Sequence, residues 1–137
     1  MLDSLPKYID FNSVGDPSLG FITIAETQKN VPFEIKRVYW TYHTPNNVIR
    51  GGHAHKELYQ LIFAVSGKIT FKTEDKFGNI KDFFLDDPKT GLYIPPFVWR
   101  DIQFSHNAVL LCLASLEYSE LDYIRNYNEF KEITCQL

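Results

Sequence analysis

Little cysteine, no long apolar run and no excess of basic charge mark this chain, and each absence excludes a class of protein. Cys112 and Cys135 are the two cysteines among 137 residues, too few for the disulfide framework of a small secreted domain. No window approaches the roughly 18–20 apolar residues that span a bilayer. Asp and Glu number 17 against 14 for Lys and Arg, and no basic run stands out. We therefore expect neither a membrane nor nucleic acid as a partner.

The start of the chain leads us to expect no targeting segment. The first ten residues, MLDSLPKYID, contain neither a basic n-region nor a long apolar h-region, so they do not form a signal peptide. This predicts a cytoplasmic protein. The length suits one domain covering residues 1–137, with enough chain for a core of its own.

Short strand-forming segments are what the chain does have. Aromatic residues make up 15% of it, mainly Tyr and Phe, and these residue types favour strands. The segment FEIKRVYWTYH (33–43) alternates, so that one face would carry Ile35, Arg37, Tyr39 and Thr41, and the other Lys36, Val38, Trp40 and Tyr42. Further strands are predicted around 57–67, 68–75, 80–87, 91–104 and 107–115. Pro95 and Pro96 must interrupt strand pairing within 91–104.

Only the C-terminal segment changes to a helical pattern. SELDYIRNYNEFKEI (119–133) places apolar residues near helical spacing, with Ser119 as its cap and Asp122 as the acidic partner three residues later. Many short strands followed by one late helix predict an all-β sandwich or barrel with a short C-terminal helix.

Two histidines mark the candidate site. His53 and His55 stand two residues apart in RGGHAHKELYQ (50–60), and on a strand both would point to the same side. Such pairs are as often ordinary surface or core residues, but the adjacent glycines would let a ligand approach the backbone. Imidazoles titrate near neutral pH and can exchange protons with a substrate. Arg37 and Arg50 could clamp a phosphate, or each could form a surface ion pair.

The histidine stretch resembles the first motif of the cupin superfamily, which is His-x-His followed by a glutamate and a glycine. His53, His55, Gln60 and Gly67 fall on these places. The segment PPFVWR (95–100) matches the second motif in part. The resemblance implies a cupin-type jelly-roll β-barrel or sandwich.

Two departures from the cupin pattern bear on metal binding. Metal-binding cupins hold their ion with three histidines and a carboxylate. Here Gln60 stands in the carboxylate place, and Arg100 stands in the place of the third histidine. Arginine stays protonated and cannot ligate a cation. We therefore expect no bound metal.

Four segments in combination are similar to the sugar 3,4-ketoisomerases of nucleotide-sugar pathways. They are IKRVY (35–39), RGGHAHK (50–56), GLYIPPFVW (91–99) and DYIRNYNEF (122–130), within a resemblance that covers about residues 20–133. The resemblance implies an enzyme that moves the keto group of dTDP-4-oxo-6-deoxy-D-glucose from C-4 to C-3 without cofactor or metal. A histidine takes the C-3 proton, an enediol forms, and a proton returns to C-4. An aminotransferase then uses the product for surface polysaccharide.

The roles of individual residues follow by position. We expect His53 and His55 to be the acid/base pair, with His55 favoured as the base. Substrate contacts are expected from Arg37, Tyr39, Arg50, Tyr93 and Arg100, the tyrosines as stacking surfaces. Relatives often carry a histidine where this chain has Arg100, which leaves the configuration at C-4 of the product open. The family resemblance also implies a homodimer, often formed by exchange of N-terminal strands.

Other functions remain open from the sequence. A dTDP-sugar 3,5-epimerase also removes protons beside a 4-keto group, but at two carbons. A non-catalytic sugar-binding cupin would use the same fold without turnover.

Overall fold

The computed structural model describes residues 2–137, and strands dominate this part of the chain. The strands are β1 (Lys7–Asp10), β2 (Ser13–Asp16), β3 (Gly20–Thr23), β4 (Arg37–Thr41), β5 (Ile49–His55), β6 (Gln60–Ser66), β7 (Ile69–Glu74), β8 (Ile80–Leu85), β9 (Thr90–Ile94), β10 (Trp99–Phe104), β11 (Val109–Ala114) and β12 (Tyr123–Ile124). A 3₁₀ turn covers Glu120–Asp122, and helix α1 covers Tyr127–Thr134. The helix is far too short to cross a membrane.

Two five-stranded antiparallel sheets form the body of the fold. The first has the order β1-β9-β6-β11-β4, and the second has the order β12-β5-β10-β7-β8. Apolar residues from both sheets, among them Ile62, Phe71 and Cys112, pack into one core between them. The predicted all-β, cupin-type sandwich with a short C-terminal helix is confirmed.

The N-terminal segment covers part of the outer face of the first sheet. Phe11, Val31 and Phe33 pack there against Phe63 and its neighbours. The hairpin of β2 and β3 pairs with neither sheet. Its apolar side chains, Val14, Leu19, Phe21 and Ile22, are exposed. The first sheet therefore has one face in the core and an outer face that is only partly covered.

The strands follow the sequence pattern closely where the alternation is strong. Exposure alternates along β4, with Arg37, Tyr39 and Thr41 turned inward and Val38 and Trp40 exposed. Strand β9 ends at Ile94 and β10 begins at Trp99, which places the interruption at the two prolines as expected.

The predicted helix is wrong in its first half. Ser119 precedes only the 3₁₀ turn and makes no capping hydrogen bond with its side chain. Tyr123 and Ile124 are extended because they pair with His55 and Ala54 of β5. The helix begins at Tyr127, after Asn126, whose side chain accepts the Glu129 backbone N–H at 3.0 Å.

Candidate active site

A cavity of about 250 Å³ lies between the two sheets and collects most of the predicted site residues. Its lining comes from both sheets and consists of Arg37, Tyr39, Thr41, Arg50, His53, Gln60, Ile62, Arg100, Ile102, Phe104, Leu110 and Tyr123. Three arginines, a histidine and two tyrosines thus face one small space. Such a convergence of polar groups in a concave site is typical of a ligand-binding pocket.

The two histidines lie side by side at different depths. Their ring centroids are 4.9 Å apart and the rings are nearly perpendicular. His53 lines the cavity. His55 is 1% exposed and does not belong to the lining. The strand therefore aims both imidazoles to one side, as expected, but only His53 is placed to meet a ligand directly.

Gly51 sets the position of Arg100 relative to the histidines. Arg100 pairs with His53 across β5 and β10, and the register shifts between Arg100 and Asp101. Gly51 has a φ of +90°, and a Cβ on it would lie 2.7 Å from the carbonyl oxygen of Arg100. Only glycine combines this backbone conformation with such a close approach.

Arg100 is buried against neutral hydrogen-bond acceptors. Its Nε and Nη2 donate to the Val98 carbonyl at 3.2 and 2.9 Å, and its Nη1 donates to Oε1 of Gln60. Gln60 in turn donates from Nε2 to the Tyr39 hydroxyl at 3.0 Å. The guanidinium is 2% exposed, and its charge therefore acts on its neighbours with little screening by water.

Burial and this charge keep both imidazoles neutral. Burial, followed by the charge of Arg100, lowers the pKa of His53 to about 3. The same two causes hold the pKa of His55 well below its ordinary value. Burial lowers the pKa of Arg100 only to about 10, so it stays cationic at neutral pH. The site pairs neutral proton acceptors with a fixed positive charge.

Asp122 and Tyr123 are site residues that the sequence analysis missed. Nδ1 of His55 lies 2.9 Å from Oδ2 of Asp122. The ring of Tyr123 lies 4.4 Å from that of His55 and 5.1 Å from that of His53. Both residues belong to the DYIR segment, which the predicted helix had obscured. Its pairing with β5 is what brings them to the histidines.

Arg37 keeps an unused donor inside the site. Its Nε is buried and has no hydrogen-bond partner within residues 2–137. The guanidinium carbon stands 5.5 Å from the Tyr39 ring and 5.8 Å from the Tyr118 ring. An oxygen of a bound ligand would satisfy this donor. Arg50 is exposed and also lines the cavity.

Tyr93, which the sequence analysis expected to contact the ligand, does not line this cavity. Tyr93 packs on the outer face of the first sheet, in the cluster with Phe63. Its hydroxyl donates to the Asp3 carbonyl at 2.6 Å. In β9 the neighbouring Leu92 and Ile94 belong to the core between the sheets, so the alternation of the strand turns Tyr93 outward.

The groups near the cavity are not those of a metal centre. No cluster of three or more His, Cys, Asp or Glu side chains able to hold a metal ion occurs among residues 2–137. Gln60 and Arg100, at the two places where the cupin motif has ligands, are bonded to each other.

Comparison with known proteins gives consistent matches along nearly the whole chain. The family model described as FdtA: WxcM-like, C-terminal matches residues 5–135. The TDP-4-oxo-6-deoxy-alpha-D-glucose-3,4-oxoisomerase of Aneurinibacillus thermoaerophilus is 41% identical over 133 residues, covering 96% of this chain and 94% of that one.

Solved structures of sugar ketoisomerases superpose closely. A His-to-Asn variant of the 3,4-ketoisomerase QdtA from Thermoanaerobacterium thermosaccharolyticum, in complex with TDP-4-keto-6-deoxyglucose, has a TM-score of 0.91 at 36% identity and covers 99% of this chain and 97% of that one. The TDP-quinovose 3,4-ketoisomerase WlaRB from Campylobacter jejuni has a TM-score of 0.87 at 41% identity and covers 93% and 97%.

Proposed function

Because the chain belongs to the FdtA family, we propose that it is an isomerase that converts TDP-4-oxo-6-deoxy-D-glucose into the 3-oxo sugar. The observation that carries this proposal is the pair of neutral imidazoles beside the buried Arg100 guanidinium at one cavity. A proton can be moved there between adjacent carbons while a cation stabilises the charge that develops on oxygen.

The reaction needs one base, one returned proton and no change in overall oxidation state. An imidazole takes the proton from C-3, and the electrons of the broken C–H bond form a double bond to C-4. The C-4 carbonyl oxygen becomes an enolate and then, on protonation, the enediol. Loss of the proton from the oxygen on C-3 forms the new carbonyl as C-4 accepts a proton. Arg100 stabilises the negative charge during both halves.

We assign the direct contact with the sugar to His53. It lines the cavity, whereas His55 is buried behind it, and this replaces the preference for His55 drawn from the sequence. Its depressed pKa means that the imidazole is unprotonated before substrate binds. A base must be in this form to remove a proton from carbon.

The remaining lining residues suit the polar parts of the substrate. Arg37 offers its unpaired Nε, and Arg50 lies at an exposed position of the lining. We propose that they contact sugar or diphosphate oxygens, which guanidinium groups match well. Burial raises the pKa of Tyr39, so its hydroxyl remains a hydrogen-bond donor.

The test is the product formed from TDP-4-oxo-6-deoxyglucose. The incubation mixture contains a partner aminotransferase that traps the labile 3-oxo sugar, and NMR identifies the carbon that becomes aminated. We expect nitrogen at C-3 with the native protein and none with His53→Asn that has retained its fold. Nitrogen at C-4 alone would contradict the proposal.

Solvent deuterium separates the ketoisomerase from a 3,5-epimerase. In deuterated water a ketoisomerase leaves the hydrogen at C-5 untouched, whereas an epimerase exchanges it. Deuterium at C-5 would favour the epimerase. Tight binding of the sugar without any turnover would favour the non-catalytic alternative.

We further propose that the chain forms a homodimer through the outer face of the first sheet. The hairpin of β2 and β3 exposes Phe21 and Ile22. A hollow of about 580 Å³ between this hairpin and the sheet is lined in part by Phe63 and Leu113. An exposed apolar surface of this kind is typical of a protein–protein interface, and a twofold dimer would cover it on both copies.

Light scattering during size exclusion tests the dimer. We expect a dimer for the native chain and a monomer for Phe21→Glu. Phe77→Glu is the matched control, because Phe77 is similarly exposed but lies in the loop between β7 and β8. A monomeric native chain would contradict the proposal.

A further inference from the structure

The Asp122 carboxylate holds two partners at once. Its Oδ2 lies 2.9 Å from Nδ1 of His55, and its Oδ1 accepts the backbone N–H of Glu57 at 2.7 Å. The backbone N–H of Lys56 also donates to the Asp122 carbonyl at 2.9 Å. The side chain of Asp122 is 11% exposed. Asp122 is thus fixed to the chain that follows β5, with one carboxylate oxygen committed to the backbone and the other to His55.

These contacts decide which nitrogen of His55 carries its proton. Burial and the nearby Arg100 charge keep the pKa of His55 far below its usual range, so the imidazole is neutral and has a single N–H. A carboxylate can only accept a hydrogen bond. The N–H must therefore be at Nδ1, facing Asp122. The lone pair is left at Nε2, on the opposite side of the ring.

We propose that Asp122 is a positioning residue that holds His55 in the Nδ1–H form and so keeps Nε2 of His55 as a proton acceptor within the site. The rings of His53 and Tyr123 lie 4.9 and 4.4 Å from that of His55, so this acceptor belongs to the same cluster as the imidazole that meets the sugar. The Asp122 charge also balances the charge that His55 gains when it accepts a proton. The inference rests on the proposed ketoisomerase function.

The substitution Asp122→Asn isolates this role because it preserves shape. The amide oxygen must stay with the Glu57 N–H, since an amide nitrogen cannot accept that bond. The amide N–H₂ then faces Nδ1 of His55, which has to become the acceptor. The imidazole proton moves to Nε2, and the lone pair is lost from the site. A reversed tautomer of this kind reduces kcat by about 10⁴ in the serine proteases.

The experiment combines histidine ¹⁵N NMR with steady-state kinetics on the full chain. NMR of the protein without substrate distinguishes the Nδ1–H from the Nε2–H form, and the signals of His55 are identified by their loss in His55→Asn. We expect the Nδ1–H form in the native chain and the Nε2–H form in Asp122→Asn. For that variant we expect kcat to fall about 10³–10⁴-fold, with KM changed by less than about threefold.

Two further variants separate positioning from folding. Asp122→Glu keeps a carboxylate and should retain the Nδ1–H form and recover part of kcat. Glu57→Gln makes the same chemical change at an exposed neighbour whose backbone N–H is unaffected, and it should leave both the tautomer and kcat unchanged. Circular dichroism and thermal unfolding establish that each variant is folded.

The outcomes are distinct. An Nε2–H form of His55 in the native chain overturns the inference whatever the activity is. A reversed tautomer in Asp122→Asn with native kcat also overturns it. The expected tautomers in a native chain that does not convert TDP-4-oxo-6-deoxyglucose would contradict the proposed function, and would leave the pairing of Asp122 with His55 standing.

Discussion

At the scale of single residues, the site is defined by a buried cation whose hydrogen bonds go to neutral oxygens. Arg100 contacts the Val98 carbonyl and the Gln60 amide. A glutamate in place of Gln60 would offset its charge. With glutamine there, the charge reaches the imidazoles and makes their protonation unfavourable. The Gln60 amide therefore helps to keep the histidine base unprotonated.

This arrangement predicts an unusual pH dependence. The pKa of His53 lies at about 3, below the ordinary value near 6.5, so the neutral base persists as the pH falls. We expect kcat/KM to stay nearly constant between pH 8 and 5, where an ordinary imidazole would lose most of its neutral form. The measurement is kcat/KM as a function of pH for the free enzyme.

Gln60→Glu should make kcat/KM depend on pH within this range. A carboxylate beside Arg100 offsets the positive charge, raises the pKa of His53 and moves the acid limb of the pH profile to higher pH. Gln103→Glu, at an exposed position of β10, is the matched control and should leave the limb in place. An identical profile for native and Gln60→Glu protein would contradict the electrostatic argument.

The two tyrosines of the sequence-based site are expected to behave differently. Tyr39→Phe removes the hydroxyl that accepts from Gln60 inside the cavity. It should lower kcat/KM roughly tenfold or more, a loss that corresponds to the free energy of about one buried hydrogen bond. Tyr93→Phe removes a bond to the Asp3 carbonyl on the outer face. It should leave kcat/KM unchanged and lower the free energy of unfolding by about 1 kcal/mol. Equal losses of activity would contradict the placement of Tyr93.

At the scale of secondary-structure elements, the junction between β5 and β10 shapes the site. The register shift between Arg100 and Asp101 occurs opposite Gly51. We expect Gly51→Ala to destabilise the fold by more than the roughly 1–2 kcal/mol of the left-handed backbone alone, because the new methyl group meets the Arg100 carbonyl. It should also reduce activity, since Arg100 is displaced.

Gly52→Ala is the matched comparison for this junction. Gly52 also has a positive φ, of +66°, but the nearest atom to an added Cβ is Oδ1 of Asp101 at 4.0 Å. In Gly52→Ala, stability is therefore lost only through the unfavourable backbone conformation of a non-glycine residue at positive φ. Urea unfolding of both variants checks the difference, and an equal loss of stability would show that the close approach at Gly51 is unimportant.

The elements show which parts of the structure the sequence could predict. Alternation along β4 depends on neighbouring residues, so it placed Arg37 and Tyr39 on one face, which the structure turns toward the cavity. The spacing of His53 and His55 is local in the same way. The depth of each histidine relative to the cavity depends on the path of β5 at its glycines and on the residues that pack behind it. The His-x-His motif contains no information about either, so the sequence could not predict these depths.

The misplaced helix start has a similar cause. Residues 119–126 have a helix-compatible pattern, but pairing of β12 with β5 draws Tyr123 and Ile124 into an extended form. A tertiary contact thus overrides local preference. Asp122 was interpreted as a helix-capping partner for this reason, and its contact with His55, 67 residues away along the chain, could not be anticipated from spacing.

At the scale of the whole molecule, the buried neutral histidines predict acid sensitivity of the fold. The folded-state pKa of His53 and His55 lies below the unfolded value near 6.5, so the unfolded chain binds protons more readily. Stability is fully present above pH 6.5 and is lost as the pH falls below it. Between pH 6.5 and 5, the free energy of unfolding should drop by about 1 kcal/mol per pH unit for each imidazole, with a slope that approaches about 1.4 kcal/mol per unit near pH 5.

Urea unfolding at fixed protein concentration measures this slope. His53→Asn and His55→Asn should each remove about one imidazole's share of it. The window stays above pH 5 because most carboxylates titrate below it. A stability that is flat from pH 6.5 to 5 would contradict the burial of neutral imidazoles.

The alternation of β4 has a consequence for how the chain tolerates length changes. Its inward residues, Arg37 and Tyr39, line the cavity, while Val38 and Trp40 are exposed on the other side. Deleting one residue inside β4 would turn the residues on one side of the deletion to the opposite face, because side chains alternate along a strand. The cavity lining and the exposed outer surface of β4 would change in one step. A point substitution can change one of these two faces of β4 and leave the other intact. A deletion of one residue within the strand changes both faces together.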